Sequence, residues 1–193
     1  QAFKHIKTKA TKASLVLGEE RGEAPDVTGS GMRNAHLLAI APNASSSILC
    51  GGTSPSIEPY RANVYTHKTL TGSYQVKNRF LEKLLKSKSL KADELNSLWK
   101  DIFASDGSVQ HLDILSDEEK EIFKTANEIN QIWLIEHAHG RQEFVCQSQS
   151  VNLFFTLPKA TESQEVHDEY LQYVHDVHWA GMHKLKSLYY FRS

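Results

Sequence analysis

The chain has 193 residues, of which 40% are hydrophobic and 23% are charged, and this composition can supply the core of one domain or a large part of one. Its 22 basic and 23 acidic residues leave a formal net charge of -1, which gives no electrostatic reason to expect a nucleic-acid or membrane partner. No apolar run approaches the roughly 18 residues of a membrane span. The two cysteines, Cys50 and Cys146, lie far apart, which argues against a disulfide scaffold or zinc knuckle and fits a reducing cytoplasm.

In the first part of the chain, a helix precedes an apolar strand. Apolar spacing predicts a helix over residues 3–17, and glycines indicate a turn over residues 29–34. An apolar strand is predicted over residues 36–41, and a shorter strand-like segment over residues 62–65. Gly72 is predicted to lie in a polar turn.

The rest of the chain is mostly helical before a final strand. Amphipathic spacing and a capping box that begins at Ser116 predict helices over residues 78–86, 92–104, from 117 onward, 127–139 and 164–179. Strands are predicted over residues 151–157 and 185–191. This alternation of strands and helices favours an α/β fold with parallel strands over a helical bundle.

Residues 39–52 form the most informative segment, because an apolar run breaks at Pro42 into small hydroxyl residues before a glycine pair. A strand that leads through a polar turn into a helix presents backbone N–H groups without helical partners, and such an end attracts phosphate. Asn43 or Ser45 can cap this helix, and Ser46 and Ser47 can add hydroxyl donors. The pattern fits a phosphate site or an ordinary capped turn, and capped turns are far more common.

Other polar or aromatic clusters have structural explanations. A metal site near the end of the chain would need ligands beyond its four histidines, and the aromatic residues around them indicate a packing helix. The tyrosine pair Tyr189 and Tyr190 lies on an apolar segment, where core packing is the usual role. Adjacent residues on a regular strand point to opposite faces, so joint action of the pair requires a local departure from strand geometry.

Several segments, in their order and spacing, resemble the large subunit of class I ribonucleotide reductase. They are GMRN at residues 31–34, the serine loop within 39–52, SIEPY at 56–60, QSQSVN at 147–152 and KSLYYFRS at 186–193. The resemblance covers nearly all of the chain. It implies an α/β fold in which residues 1–193 form the carboxy-terminal part of a ten-stranded α/β barrel, and therefore an incomplete barrel with an open sheet edge.

The resemblance also implies two sets of site residues. Substrate-phosphate binding is expected from Pro42, Asn43, Ala44, Ser45, Ser46 and Ser47. Radical transfer from the small subunit to the active-site cysteine is expected from Tyr189 and Tyr190. The three catalytic cysteines of the family have no counterpart here, since neither Cys50 nor Cys146 lies in a matching motif, and both are expected to be small buried packing residues.

By the same resemblance, the chain is expected to be part of an enzyme that converts ribonucleoside diphosphates to deoxyribonucleoside diphosphates by radical chemistry in the cytoplasm. It would bind no cofactor directly, because the metal and radical belong to the small subunit. Its partners would be that small subunit, the amino-terminal portion of the large subunit and the substrate. Because the chain begins at Gln1, it is expected to be processed or part of a longer protein. The alternative is a non-catalytic nucleotide-phosphate-binding α/β module, which would have no use for the tyrosine pair.

Overall fold

The computed structural model describes residues 1–51, 53–54, 56–70, 72–88 and 90–192. The described residues form helices α1 (Ala2–Arg21), α2 (Ala44–Leu49), α3 (Arg79–Ser87), α4 (Ala92–Ala104), α5 (Asp117–Ile122), α6 (Ile132–Gln142) and α7 (Gln164–Lys184). They also form strands β1 (Val64–Thr69), β2 (Gly72–Lys77), β3 (Leu153–Phe154) and β4 (Phe191–Arg192). Gly52 of the glycine pair and Ser193 of the terminal motif lie outside the described residues.

The chain divides into two compact units, and the first comprises Gln1–Glu58 and Asn130–Ser193. In this unit β3 pairs in parallel with β4, with Leu153 opposite Phe191. Earlier on the same extended segment, Gln149 forms a parallel bridge with Ile40. The N–H of Ile40 donates to Ser148 O at 3.2 Å, and Ser150 N–H donates to Ile40 O at 2.7 Å. Residues 147–155 therefore form a middle segment that pairs with the end of the chain and, through a single bridge at Ile40, with the residues before the serine loop. The predicted strand over residues 36–41 is thus reduced to this bridge. The parallel pairing confirms the predicted α/β fold with parallel strands.

Helices α6 and α7 supply the apolar cover of this sheet. Leu153 is fully buried, and residues from both helices pack into the same cluster. The buried members of this cluster are Ile135, Ala138, Val151, Leu153, Phe155, Val177 and Leu185. Because β3 and its flanking residues are buried on both sides, they appear in the sequence as a continuous apolar run and not as an alternating pattern.

The second unit, Pro59–Ile129, is built from the β1–β2 hairpin and three helices. The hairpin is antiparallel, with Val64 opposite Lys77. Helix α3 begins after Asn78, whose Oδ1 accepts hydrogen bonds from the N–H groups of Phe80 at 3.0 Å and Leu81 at 3.4 Å. The buried core of this unit is Val64, Leu81, Leu85, Trp99, Ile102, Val109, Leu112 and Leu115.

The structure differs from the sequence predictions where burial does not follow a local pattern. Gly72 lies at the end of the predicted turn, since it begins β2 and pairs with Thr69, the last residue of β1. Gly72–Lys77 is exposed over most of the strand, so the short alternation of Tyr74 and Val76 with polar residues does not mark a buried face. Helix α7 continues past Gly181, where an added Cβ would lie 2.9 Å from Leu188 Cδ1. This glycine permits close packing and does not end the helix.

None of the helices in the described ranges combines the length and the apolar character that crossing a membrane requires.

Candidate functional site

The serine loop follows Ile40 and leads directly into the short helix α2. The Asn43 side-chain amide donates back to Ala41 O at 3.0 Å, and Asn43 O accepts the Ser47 N–H at 2.9 Å. Pro42, Asn43 and Ser46 are exposed, whereas Ser47 is buried. Ala44 and Ser45 contribute the first backbone positions of α2. The loop thus presents a helix start with an exposed approach, directly after the bridge between Ile40 and Gln149.

Thr53 and Ser56 connect this loop to the middle segment of the sheet. The Thr53 N–H donates to Ser47 O at 3.2 Å, and Ser56 Oγ donates to Ser150 O at 2.7 Å. Within this region, the hydroxyl groups of Ser54 and Ser150 are buried and have no hydrogen-bond partner among the residues that the structure describes. A buried hydroxyl without a partner is uncommon and lowers the stability of the folded chain.

Tyr189 and Tyr190 directly precede β4, and their rings contact each other. The ring centroids are 4.1 Å apart with an angle of 50° between the planes. The Tyr189 N–H donates to Val151 O at 3.0 Å, and Tyr190 O accepts the Leu153 N–H at 2.8 Å, so the pair lies against the middle segment. Tyr189 is 46% exposed and Tyr190 is 49% exposed, which does not fit the core-packing alternative.

The electrostatic surroundings of the pair combine a second phenol with a cation. A hydrogen-bonding interaction with Tyr190 raises the pKa of Tyr189 above its usual value, and the charge of Tyr190 and partial burial act in the same direction. Arg192 opposes this increase in pKa. The Arg192 guanidinium carbon lies 5.2 Å from the centroid of the Tyr190 ring.

Arg192 also takes part in a polar chain that reaches the segment after the serine loop. Its Nε donates to Asn152 Oδ1 at 3.4 Å, and Asn152 Nδ2 donates to Glu58 Oε2 at 2.7 Å. Asn152 is only 4% exposed. We call Glu58, Asn152 and Arg192 the polar bridge.

Three histidines of α7 contact aromatic rings. His175 and Trp179 stack with centroids 6.2 Å apart, and His183 lies 4.1 Å from the same indole. The ring of His178 contacts Phe191 at 5.5 Å. Across the residues that the structure describes, no group of three or more histidine, cysteine, aspartate or glutamate side chains is arranged to hold a metal ion.

Comparison with known proteins identifies the chain's relatives. A family model described as "Ribonucleotide reductase, barrel domain" matches residues 23–191. The chain belongs to the ribonucleotide reductase barrel-domain family. The resemblance seen in the linked sequence motifs is thereby confirmed.

Viral large subunits and one bacterial structure illustrate this membership of the ribonucleotide reductase family. The chain is 47% identical over 192 residues to the ribonucleoside-diphosphate reductase large subunit of Invertebrate iridescent virus 3, which covers 99% of the chain and 29% of the relative. It is 45% identical to the corresponding protein of Invertebrate iridescent virus 6, with 99% of the chain and 19% of that relative covered. The Actinobacillus ureae class Id ribonucleotide reductase alpha subunit superposes with a TM-score of 0.76 and 42% identity, covering 100% of this chain and 33% of that one. The chain thus spans less than a third of the length of these two curated relatives.

Neither cysteine of this family member is fully buried. Cys50 is exposed in the turn after α2, so the prediction that it packs in the interior is wrong. The Cys146 thiol is partly buried, and its Sγ accepts hydrogen bonds from the N–H groups of Leu37 and Leu38, both at 3.1 Å. Burial raises the pKa of Cys146, but the hydrogen bonds from Leu38 and Leu37 and the nearby charge of Lys186 outweigh it, so the net pKa lies below the usual value.

The polar bridge is the part of the candidate site that the sequence analysis did not predict. Glu58, Asn152 and Arg192 lie in three of the motifs that resemble the reductase family, but no local pattern links them. Glu58 and Asn152 are 94 residues apart, and Asn152 and Arg192 are 40 apart. Pairing of the middle segment with the end of the chain brings the latter two together. In the sequence, these three residues are linked only by their positions in motifs that resemble the same family.

Proposed function

We propose that this chain is the carboxy-terminal part of the catalytic barrel of a ribonucleoside-diphosphate reductase large subunit. That subunit would convert ribonucleoside diphosphates to deoxyribonucleoside diphosphates by radical chemistry. The observation that carries the proposal is the placement of two motifs on one sheet. The serine loop follows residues whose backbone bonds to residues 147–150, and the tyrosine pair leads into β4, which pairs with the continuation of the same segment.

The serine loop would hold the substrate diphosphate. Residues 42–47 offer a helix start of small residues, of which Pro42, Asn43 and Ser46 are exposed, where backbone N–H groups and hydroxyl groups can donate to phosphate oxygens. Backbone donors suit this role because they do not depend on which small side chain occupies each position. The two buried unpartnered hydroxyl groups, of Ser54 and Ser150, lie in the region that connects this loop to the sheet.

Tyr189 and Tyr190 would relay the radical. In such a step, one phenol loses an electron and its hydroxyl proton, and the neighbouring phenoxyl radical gains both. The ring contact, with centroids 4.1 Å apart, suits this exchange. The cysteine that finally receives the radical would come from the amino-terminal portion of the subunit, since neither Cys50 nor Cys146 lies in a matching motif.

The proposed partners follow from this division of roles. The amino-terminal portion would complete the barrel, and the small subunit would supply the metal and the radical, so that this chain binds no cofactor directly. The enzyme would act in the cytoplasm on a nucleoside diphosphate that diffuses freely. Neither a nucleic acid nor a membrane is a proposed partner, in keeping with the nearly balanced charge of the chain.

An assembly assay tests the proposal. The purified chain is incubated with labelled ribonucleoside diphosphate and a dithiol, either alone or with a metal-containing small subunit and the separately produced amino-terminal portion of the large subunit. We expect deoxyribonucleotide only from the complete mixture. Product from the chain without the amino-terminal portion would contradict the proposed division of roles. Nucleoside diphosphate binding without product in the complete mixture would favour the phosphate-binding module instead.

A further inference from the structure

The guanidinium of Arg192 contacts a functional side chain on one side and a buried one on the other. Its central carbon lies 5.2 Å from the centroid of the Tyr190 ring, within the range of a cation–π interaction. Its Nε donates to Asn152 Oδ1 at 3.4 Å. Arg192 itself is exposed, so its guanidinium is held in position by these two contacts and not by burial.

The Asn152 side-chain amide has one orientation in which it can bond to both Glu58 and Arg192. Its amide has a donor end and an acceptor end, and the donor end is used by Glu58 at 2.7 Å. The acceptor end is therefore directed to Arg192. Because Asn152 is 4% exposed, rotation of the amide would leave buried polar groups without partners. In the polar bridge, the Glu58 carboxylate thus orients the Asn152 amide, and the amide in turn holds the Arg192 cation against the Tyr190 ring.

The tyrosine rings need such a constraint, because packing does not supply it. Tyr189 and Tyr190 are each nearly half exposed, yet their ring centroids are 4.1 Å apart. Exposed aromatic side chains change rotamer on a fast timescale unless a specific contact holds them. A cation on the Tyr190 ring face favours one orientation of that ring, since the face carries negative potential.

We infer that Arg192 is a positioning residue for radical transfer, which holds the Tyr190 ring against Tyr189 and is itself held by Asn152 and Glu58. This inference rests on the proposed function, because it gives the tyrosine pair its role. The exchange that it assists is balanced within the pair. One O–H bond breaks as the other forms, and one phenol is oxidised as the other phenoxyl is reduced.

The charge of Arg192 has a second, separately measurable effect. The interaction with Tyr190 raises the pKa of Tyr189 most strongly, and Arg192 lowers it. Removal of the cation is therefore expected to raise the pKa of Tyr189 further, since the phenolate loses a favourable charge interaction. A residue that only supported the fold at a distance would not produce this shift.

The test compares Arg192→Gln with Arg79→Gln in the assembled enzyme. Arg79 is a matched control, because its guanidinium carbon lies 4.8 Å from the ring centroid of Phe80, which has no hydroxyl group to oxidise. We expect Arg192→Gln to lower kcat about ten- to hundredfold, as misplacement of reacting groups does, with KM nearly unchanged. Arg79→Gln should leave both constants at the wild-type value.

A titration in the same variants supplies the second readout. With 3,5-difluorotyrosine at position 189, the phenolate absorbance midpoint should move to higher pH in Arg192→Gln and stay in place in Arg79→Gln. Wild-type kcat in Arg192→Gln would overturn the inference, and so would a loss of kcat with an unchanged midpoint. If Tyr189→Phe and Tyr190→Phe both retain turnover, the proposed function fails. If both are inactive while Arg192→Gln is fully active, only this inference fails.

Discussion

The rings of Tyr189 and Tyr190 contact each other although the two residues are adjacent in the chain, with centroids 4.1 Å apart. On a regular strand such neighbours would point to opposite faces. The Tyr189 N–H donates to Val151 O and Tyr190 O accepts the Leu153 N–H, so two successive residues bond to the same segment, whereas only alternate residues do so in a regular strand. The local departure that joint action of the pair requires is therefore present.

Replacing either tyrosine of the pair with phenylalanine should abolish turnover of the assembled enzyme. The change removes the hydroxyl group that releases a proton and leaves the ring area in place. Loss of one hydrogen bond costs about 0.5–1.5 kcal/mol, which is too little to unfold the chain. Steady-state turnover and nucleotide affinity are measured in Tyr189→Phe, Tyr190→Phe and the control Tyr65→Phe, an exposed tyrosine of β1. Turnover retained in both pair variants, or lost in the control, would contradict the relay.

Proline at position 46 should weaken nucleoside diphosphate binding more than alanine at the same position. Proline removes a backbone donor in the first turn of α2, whereas alanine removes only the hydroxyl group. A hydrogen bond to a charged group is worth about 1.5–3 kcal/mol. Position 47 is a less clean test, because the Ser47 N–H already donates to Asn43 O at 2.9 Å.

The proline comparison is made by calorimetric titration of folded, assembled variants. Circular dichroism and unfolding curves establish first that Ser46→Pro and Ser46→Ala retain the wild-type fold. Equal affinities in the wild type and in Ser46→Pro would reject the phosphate loop.

Replacing Ser150 with alanine should leave the free energy of unfolding unchanged or increase it. The Ser150 hydroxyl is buried without a partner, and such a group costs about 1–3 kcal/mol. The backbone bonds of Ser150 to Ile40 and Ser56 do not depend on the side chain. Urea denaturation measures the effect in the nucleotide-free chain.

Ser14→Ala is the matched control for Ser150→Ala. Ser14 is 2% exposed, and its Oγ donates to Asn34 Oδ1 and accepts the Asn34 N–H, both at 3.0 Å. Its loss should cost about 1–3 kcal/mol because Asn34 groups are left unpaired. Equal destabilisation by the two changes would show that Ser150 has a stabilising partner in solution.

Alanine at Gly18 should destabilise the chain strongly, although the glycine lies within a helix. An added Cβ would lie 2.0 Å from Gly31 O, so the backbone would have to move, which typically costs about 1–3 kcal/mol or more. Gly140 in α6 has no atom within 4 Å of an added Cβ, and alanine there should stabilise by about 0.5–1 kcal/mol. Thermal and urea unfolding of both variants measure these opposite signs. A stabilising Gly18→Ala would contradict the close approach of α1 to the turn at Gly31.

The rate of alkylation of the Cys146 thiol should rise with pH, with a midpoint below that of a small solvent-exposed thiol. Burial alone would raise the pKa of Cys146, but the Leu38 and Leu37 N–H groups and Lys186 favour the thiolate more strongly. Iodoacetamide rates are measured against pH in a Cys50→Ser background, since Cys50 is also exposed to reagent. Lys186→Gln should move the midpoint to higher pH. A midpoint above that of the small solvent-exposed thiol would show that burial dominates.

Features set by neighbouring residues were predictable from the sequence. The predicted helix over residues 92–104 has the bounds of α4. The capping box at Ser116 is present, with the Glu119 N–H donating to Ser116 Oγ at 3.2 Å and the Ser116 N–H donating to Glu119 Oε2 at 2.9 Å. Such contacts span three or four residues, so the residue types alone specify them.

Features set by distant parts of the chain were not predictable in this way. The β1–β2 hairpin was only partly predicted, because most of β2 is exposed and its two alternating apolar residues, Tyr74 and Val76, do not mark a buried face. The last helix was predicted to end near Trp179, but the side chain of Leu188 packs against Gly181 and the helix continues to Lys184.

The order of linked motifs in the sequence determined the family, the α/β class and which segments to examine. Tertiary structure alone decided that the serine loop and the tyrosine pair lie beside one middle segment, and that Glu58, Asn152 and Arg192 form a bridge behind Tyr190. The physical reason is that parallel pairing joins strands that are far apart in the chain. Hydrogen bonds between such strands, and the side-chain contacts that they create, leave no periodic signal in the sequence.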